Sequence, residues 1–328
     1  MGNSRYAIGI DLVGQDSTPE EIFEGVLLAK QSTVDELRFL LFCTPEVLQA
    51  LQHRALPGIE LVACQNAILM HEKPMTAIKK KRESTLICGL KKLADRSIDA
   101  FLSCSNTGAL VAGSVMELGV LPNVLRPALL ATLPTERAQM TVLDVGGSVQ
   151  SRPQHLLQFA YLGTAYQRCV FGNENVRVGL LNIGSESEKG TQELKATLIL
   201  LKKIEKEYSL PFHFVGNIEP KEAFQGNVHV LITNGFTGNI FLKTAEGIAS
   251  FFMNLCFSES KKIPQVIERQ LSNRISHGAL IAGVDGLVVK CHGNASSTVI
   301  KNAILGIKNH LEQSIVQTMK QFMSSSQT

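Results

Sequence analysis

Six short turns rich in Gly, Asn, Ser and Thr follow apolar runs in this chain, and their residue types suit the capture of an anion. They are Asp11–Gly14, Ser103–Gly108, Asp144–Ser148, Gly216-Asn217, Asn234–Asn239 and His292–Asn294. A helix that starts at the carboxyl end of a strand offers free backbone N–H groups and a partial positive charge. Glycine lets the backbone approach a ligand closely, and Asn, Thr and Ser add donors without adding charge. Small residues after a strand also serve plain chain reversal. Here Asn106-Thr107-Gly108 and Phe236-Thr237-Gly238-Asn239 each run directly into an apolar helical pattern, which favours the ligand reading. The clearest turn is Asn234-Gly235-Phe236-Thr237-Gly238-Asn239. Lys243, one turn beyond Asn239, is either an ordinary helix residue or a cation facing the anion. His292, in Cys-His-Gly-Asn after the run Leu287–Lys290, lines the cleft or is a surface residue, and Lys290 reads as a solvated strand end.

The missing constellations narrow the chemistry. The sequence has no Walker-type Gly-Lys-Ser, no Gly-x-Gly-x-x-Gly after a strand, no Gly-x-Ser-x-Gly elbow and no His-Glu-x-x-His. Nucleotide, dehydrogenase, serine-hydrolase and zinc-protease readings lose ground accordingly. A net charge of +3 is too small to argue for nucleic acid. Seven scattered cysteines form no Cys-x-x-Cys pair, so neither a disulfide framework nor a zinc site is expected, and a reducing cytosol is the simplest compartment. No apolar stretch approaches the roughly 20 residues of a membrane helix, and the start at Met1–Tyr6 lacks a signal-peptide layout.

The elements that must hold these turns alternate along the chain. Tyr6–Ile10, Leu37–Phe42, Ile59–Ala63, Ile98–Leu102, Met140–Val145, Val176–Asn182 and Val228–Thr233 read as strands, most followed by a small-residue turn and a helix. Thr18-Pro19-Glu20-Glu21 supplies a cap, a first-turn proline and two first-turn acids, so a helix is expected from there to about Lys30; Thr44-Pro45-Glu46 opens another. The expected fold is α/β: a mostly parallel sheet covered by helices on both faces, Rossmann-like and three-layered. No linker or repeat stands out in the 328 residues, so residues 1–328 read as a single domain with two lobes around a central cleft.

At these turns the sequence resembles the bacterial phosphate acyltransferases, over nearly its whole length. Ile10-Asp11-Leu12-Val13-Gly14-Gln15-Asp16 resembles the family's Asp-Ala-Met-Gly-Gly-Asp, and Ser103-Cys104-Ser105-Asn106-Thr107-Gly108-Ala109-Leu110 its Ser-Ala-Gly-Asn-Thr-Gly-Ala-Leu. Leu143-Asp144-Val145-Gly146, Arg152–Ala160 and Arg177–Gly184 are similar to its central segments. Gly235-Phe236-Thr237-Gly238-Asn239 with Leu242–Gly247 is the most specific stretch, and Gly283–Gly293 completes the pattern. Five positions depart from it: Gln15 for Gly, Ser17 for His, Gly147-Ser148 for Ala-Asn, and Asn234 for Asp. The stretch Met253–His277 is shorter than the family's helical excursion there, which argues against direct membrane contact.

The resemblance implies a fold similar to phosphotransacetylases and isocitrate-dehydrogenase-like enzymes, a homodimer, and the first step of phospholipid synthesis. Inorganic phosphate would attack the thioester of acyl-carrier protein, with no cofactor and no metal. The acyl-phosphate would pass to a membrane glycerol-3-phosphate acyltransferase, which implies a cytoplasmic protein brought to the membrane through that partner. Phosphate is itself the nucleophile, so the protein need only position it and stabilise an oxyanion. On that reading Asn239, Asn234, Lys189 and His292 are the catalytic candidates. Asn106, Thr107, Gly108, Asn217, Gly235, Thr237, Gly238, Lys243 and Gly293 are the phosphate- and substrate-binding ones. The run Lys79-Lys80-Lys81-Arg82 is either a solvated helix face or the docking patch for the acidic carrier protein. Two other functions compete: a phosphotransacetylase-like enzyme using coenzyme A, and a catalytically degenerate homologue that binds carrier protein.

Overall fold

Tyr6–Asp11 (β1) is buried along nearly its whole length, as a strand covered on both faces must be. The computed structural model describes residues 5–33, 36–258 and 278–325. Its contacts divide the chain into two compact units, each assembled from two separate segments.

The first unit comprises Met1–Leu121 with Ser276–Val316. Its strands are β1, β2 (Leu37–Cys43), β3 (Ile59–Ala63), β4 (Ala100–Ser103), β10 (Ala279–Ala282) and β11 (Leu287–Lys290), in the order β3-β2-β1-β4-β11-β10. All pairs are parallel except β10 with β11. Helix α1 (Pro19–Thr33) opens with the Thr18 hydroxyl accepting the Glu21 N–H and two first-turn acids, as the sequence predicts. It packs on α10 (Ser297–Glu312), where Gly25 lies so close to Ile300 that a Cβ would stand 2.5 Å from it. Helices α3 (Pro74–Lys80), α4 (Thr85–Ala94) and α5 (Thr107–Leu118) form a second group. Both groups touch β2 and β4, and a strand has two faces, so the sheet is covered on both.

The second unit comprises Pro122–Ile275 with Gln317–Thr328. Its strands are β5 (Ala128–Pro134), β6 (Gln139–Leu143), β7 (Arg177–Leu181), β8 (His213–Ile218) and β9 (Val230–Ile232), in the order β5-β6-β9-β7-β8. The β5–β6 pair is an antiparallel hairpin and the remaining pairs are parallel. Helix α6 (Pro153–Phe171) packs on β6, β9 and α7 (Gln192–Glu207), and ends on Gly172 in the left-handed region at φ 67°. Helix α9 (Gly235–Ser258) contacts β6. Further helices among the described residues are α2 (Pro45–Leu51), α8 (Pro220–Phe224) and α11 (Ile315–Ser325).

The mostly parallel, helix-covered sheet agrees with the sequence expectation. Strands β5, β8 and β10 are additions to it. Gly216-Asn217 needs correction: it lies within β8, not in a turn after a strand. A bulge between Val178 and Gly179 against Phe214 and Gly216 lets the chain pass there with Gly216 at φ 93°. Most of Met253–His277 lies outside the described residues. Among the described residues, no helix is long and apolar enough to cross a membrane.

Candidate active site

In the second unit the end of β6 and the start of α9 build one compact polar cluster. Asn234 occupies the N-cap position of α9: its side-chain oxygen accepts the Thr237 N–H at 2.9 Å and its carbonyl accepts the Gly238 N–H at 2.9 Å. The N–H groups of Gly235 and Phe236 take no acceptor among the described residues, as expected for the first residues of a helix. The loop Asp144–Ser148 lies directly over this turn. A Cβ on Gly235 would stand 2.0 Å from the Ser148 carbonyl oxygen, and one on Gly238 would stand 1.9 Å from that of Asp144. Gly146, at φ 134°, faces the Asn239 side chain. Only glycine permits so close a stack of two backbones.

Asp144 holds that loop in shape. Its Oδ1 accepts the N–H groups of Leu129 at 3.1 Å, Gly146 at 3.0 Å and Gly147 at 2.7 Å. Its Oδ2 accepts the Ser148 N–H and hydroxyl, both at 2.8 Å. Burial pushes the Asp144 carboxyl above the usual carboxylate range, and these donors oppose the rise. Ser148 therefore serves as a donor to Asp144.

Asn217, on β8, supports the loop after β7 that carries Lys189. The Asn217 amide donates to the Glu186 carbonyl at 2.9 Å, and that of Asn182 donates to the Lys189 carbonyl at 3.1 Å. Gly190, at φ 87°, comes so close to Asn182 that a Cβ would stand 2.5 Å from its side-chain oxygen. Asn217 is buried and supports the loop that displays the exposed Lys189. Lys243 is exposed on α9. Glu246, one turn on, is raised in pKa by burial, with the Lys243 charge opposing.

A second cluster lies at the strand ends of the first unit. Asp11 is fully buried; its Oδ2 accepts the Ser103 hydroxyl at 2.9 Å, and the Ser103 and Ser105 hydroxyls are 2.8 Å apart. Burial raises the Asp11 carboxyl from 3.8 to about 6, against the hydroxyl and N–H donors around it. Asn106 caps α5: its oxygen accepts the Ala109 N–H at 3.0 Å. Its amide donates to the carbonyls of Met70 at 2.9 Å and Glu72 at 3.0 Å. The Asn106 side chain is thus committed to the protein, leaving Thr107 and the exposed Gly108 at the open end of α5. Gly293 joins the same cluster, its carbonyl accepting the N–H groups of Asp16 at 3.0 Å and Ser17 at 2.8 Å, while His292 is exposed beside it.

Lys290 overturns its sequence reading. It is buried, not a solvated strand end, and its ammonium donates to the carbonyls of Cys104, at 3.1 Å, and Cys291. Burial lowers its pKa. The basic run divides as well. Lys79 and Lys80 are exposed without an ion pair among the described residues, whereas Lys81 pairs with Glu72 at 2.6 Å and Arg82 with Glu117 at 2.7 Å.

Asp11, Asp144 and Lys290 organise these clusters, and sequence reasoning did not select them. Asp11 and Asp144 do share a legible signal: each follows an apolar strand and opens a turn with glycine within the next few residues. No group of side chains suited to a metal occurs among the described residues.

Known proteins resemble this chain over nearly its whole length. Residues 6–318 match the family described as "Fatty acid synthesis protein". The phosphate acyltransferase of Chlamydia abortus is 40% identical over 303 residues, covering 91% of this chain and 93% of that protein. The phosphate acyltransferase of Halothermothrix orenii is 35% identical over 329 residues, covering 96% and 97%. Among solved structures, a phosphotransacetylase from Streptococcus pyogenes superposes with a TM-score of 0.59 at 14% identity, covering 98% of this chain and 95% of that one. The EutD phosphotransacetylase from Staphylococcus aureus gives a TM-score of 0.58 at 15% identity, covering 96% and 95%. At that identity the likeness speaks for the fold, and the sequence matches speak for the family: the chain is a phosphate acyltransferase enzyme, a member of that family of fatty acid and phospholipid synthesis proteins.

Proposed function

We propose that the chain transfers an acyl group from acyl-carrier protein to inorganic phosphate, giving acyl-phosphate and the free carrier thiol. The observation that carries the reading is the start of α9, where the N–H groups of Gly235 and Phe236, without an acceptor among the described residues, and the Asn239 side chain lie beside the loop folded on Asp144. Phosphate bound there meets backbone donors and a helix N-terminus. A phosphate oxygen attacks the thioester carbonyl, and the tetrahedral intermediate then expels the thiolate. The thiol's pKa of roughly 8.5 makes it a good leaving group without strong acid help. We assign Asn239 to the oxyanion or the phosphate, Thr237 and Gly238 to the turn that positions it, and Lys189 and Lys243 to charge balance. Asn217 acts through the Lys189 loop. In the first unit, Thr107, Gly108, His292 and Gly293 form a second polar surface for substrate, and Asn106 holds it in place.

The full chain, mixed with phosphate and either acyl-carrier protein or acyl-coenzyme A, tests this by trapping acyl-phosphate with hydroxylamine. Product from carrier protein supports the proposal; product from coenzyme A alone, or binding without product, overturns it. Full activity in Asn239→Ala would remove the central assignment.

We further infer a homodimer. Helix α9 exposes Phe236, Ile240, Ile248, Phe251 and Phe252, an apolar face large enough to want a partner. Sedimentation of the wild type against Phe251→Glu tests it, a dimer becoming a monomer being the expected result. Acyl-phosphate is a reactive mixed anhydride, so we place a membrane glycerol-3-phosphate acyltransferase as its consumer; co-purification from detergent extracts is the check.

A further inference from the structure

Two exposed arginines stand at the start of α6 in the second unit, and neither has a carboxylate partner among the described residues. Arg126 lies two residues before β5, in a segment pinned to α6. The Gln158 side chain accepts the Leu125 N–H at 2.9 Å, and its amide donates to the Asn123 carbonyl. From there the Arg126 guanidinium reaches back to the Gln150 carbonyl at 3.0 Å. Gln150 is two residues before Arg152, which immediately precedes α6. That carbonyl takes one N–H of the Arg126 fork and leaves the others without an acceptor among the described residues.

His155, in the first turn of α6, is 9% exposed. Its Nδ1 accepts the Arg152 N–H at 3.2 Å, so the neutral ring carries its proton on Nε2. Nε2 has no partner among the described residues and is not sealed from solvent. It is a donor presented at the positive end of a long helix, which suits an anion. Burial and then the Arg126 and Arg152 charges lower the His155 pKa, in keeping with guanidiniums nearby. The cluster borders the Asp144 loop: the Ser151 Oγ is 3.3 Å from the Ser148 Oγ, which donates to Asp144. Leu125 and Val149, next in sequence to Arg126 and Gln150, are 67% and 74% exposed.

We propose that Arg126, Arg152 and the His155 Nε2–H bind a phosphate ester, the phosphodiester of the pantetheine arm on which a carrier protein holds its acyl thioester. The inference rests on acyl transfer from carrier protein as proposed above. A phosphodiester is a permanent anion with no proton to donate, so cations and N–H donors are what it can use. The guanidinium fork matches its paired oxygens. Beside its phosphate the arm carries a branched apolar carbon, which the exposed Leu125 and Val149 suit. The group bound here does not react. It anchors the arm, and binding energy gained away from the reacting carbonyl helps to position the thioester.

The test is calorimetric titration of the full chain with 4′-phosphopantetheine, with pantetheine and with inorganic phosphate. Wild-type protein should bind phosphopantetheine at least ~10-fold more tightly than pantetheine, which lacks the phosphate. Arg126→Gln with Arg152→Gln should erase that difference and leave the affinity for inorganic phosphate unchanged. Both side chains are exposed and the Arg152 N–H survives, so the melting temperature should stay at the wild-type value. Should the double variant unfold, each single variant is measured in its place and should lose part of the preference. Equal binding of phosphopantetheine and pantetheine by wild type would overturn the proposal. So would loss of inorganic phosphate binding in the variants, which would make this a site for the free ion. Acyl-phosphate formation from carrier protein is assayed separately: its absence would sink the proposed reaction, whereas the titrations decide this site.

Discussion

The side-chain oxygen of Asn234 accepts the Thr237 N–H at 2.9 Å, and through that bond an uncharged residue caps the start of α9. Capping needs an acceptor, which Asn and Asp supply equally. Asn234→Asp should therefore keep the melting temperature and the phosphate kcat/KM within a few-fold of wild type. Asn234→Ala should cost about 1 kcal/mol of stability and lower kcat/KM for phosphate. If the alanine variant matched wild type in both melting and phosphate dependence, the cap would have no part in the site.

Gly238 and Asp144 set how closely the loop and α9 approach. A Cβ at 238 would stand 1.9 Å from the Asp144 carbonyl oxygen, so Gly238→Ala must push the two backbones apart. Loss of acyl-phosphate synthesis and about 1–3 kcal/mol of destabilisation are expected. Gly247, on the same helix, has nothing within 4 Å of its would-be Cβ. Gly247→Ala should instead stabilise by up to about 1 kcal/mol through helix propensity. Urea titrations of the two variants should move in opposite directions.

Both carboxylate oxygens of Asp144 are surrounded by donors, so Asn cannot replace it. Whichever way the amide turned, its NH2 would face an N–H group and leave donors orphaned, at ~1–3 kcal/mol each. Asp144→Asn should lower the unfolding midpoint and the activity together. Ser148→Ala removes only the hydroxyl bond and should cost less, about 0.5–1.5 kcal/mol. Equal stability of Asp144→Asn and wild type would show that the loop does not depend on this carboxylate.

How much of this was legible in the sequence depends on range. Caps and strand ends rest on neighbours along the chain, so Thr18, Asn234 and the end of β3 at Ala63 are readable from a few residues. The hairpin strand β5, the bulge at Gly216 and the antiparallel β10 depend on partners far away in sequence, which periodicity cannot register. The same divide separates the site residues. Gly235 and Gly238 announce themselves by type, but Asp144 matters because Leu129 donates to it, and Lys290 because Cys104 lies on the next strand. A lysine at a strand end looks solvated until its neighbouring strand is known.

Asp11 should leave a signature in the pH dependence of stability. Its carboxyl is raised to about 6 in the folded chain, against an ordinary 3.8. Below the lower value the carboxyl is protonated in both states. As pH rises, the unfolded chain ionises first, so folding loses stability, by about 3 kcal/mol once both states are ionised. The loss falls between about pH 4 and about pH 6 and is complete above that. Asp11→Asn has no such proton to release. The difference in unfolding free energy between the two proteins should therefore change across that window and be flat above it. A constant difference throughout would mean that Asp11 ionises as it does in water.

Lys79 and Lys80 are the two members of the basic run that remain exposed and without an ion pair among the described residues, so they, not Lys81 and Arg82, should meet an acidic partner. Reversing both, Lys79→Glu with Lys80→Glu, should raise the KM for acyl-carrier protein at low salt while leaving kcat and the phosphate KM unchanged. Added salt screens surface charges beyond about 10 Å, so the wild-type KM should climb with ionic strength until the two proteins converge. Lys81→Glu is the contrasting case. It breaks the bond to Glu72 in the segment whose carbonyls hold Asn106, so it should lower kcat and stability as well. Carrier kinetics at two salt concentrations separate these outcomes, and an unchanged KM in the double variant would remove the docking role from α3.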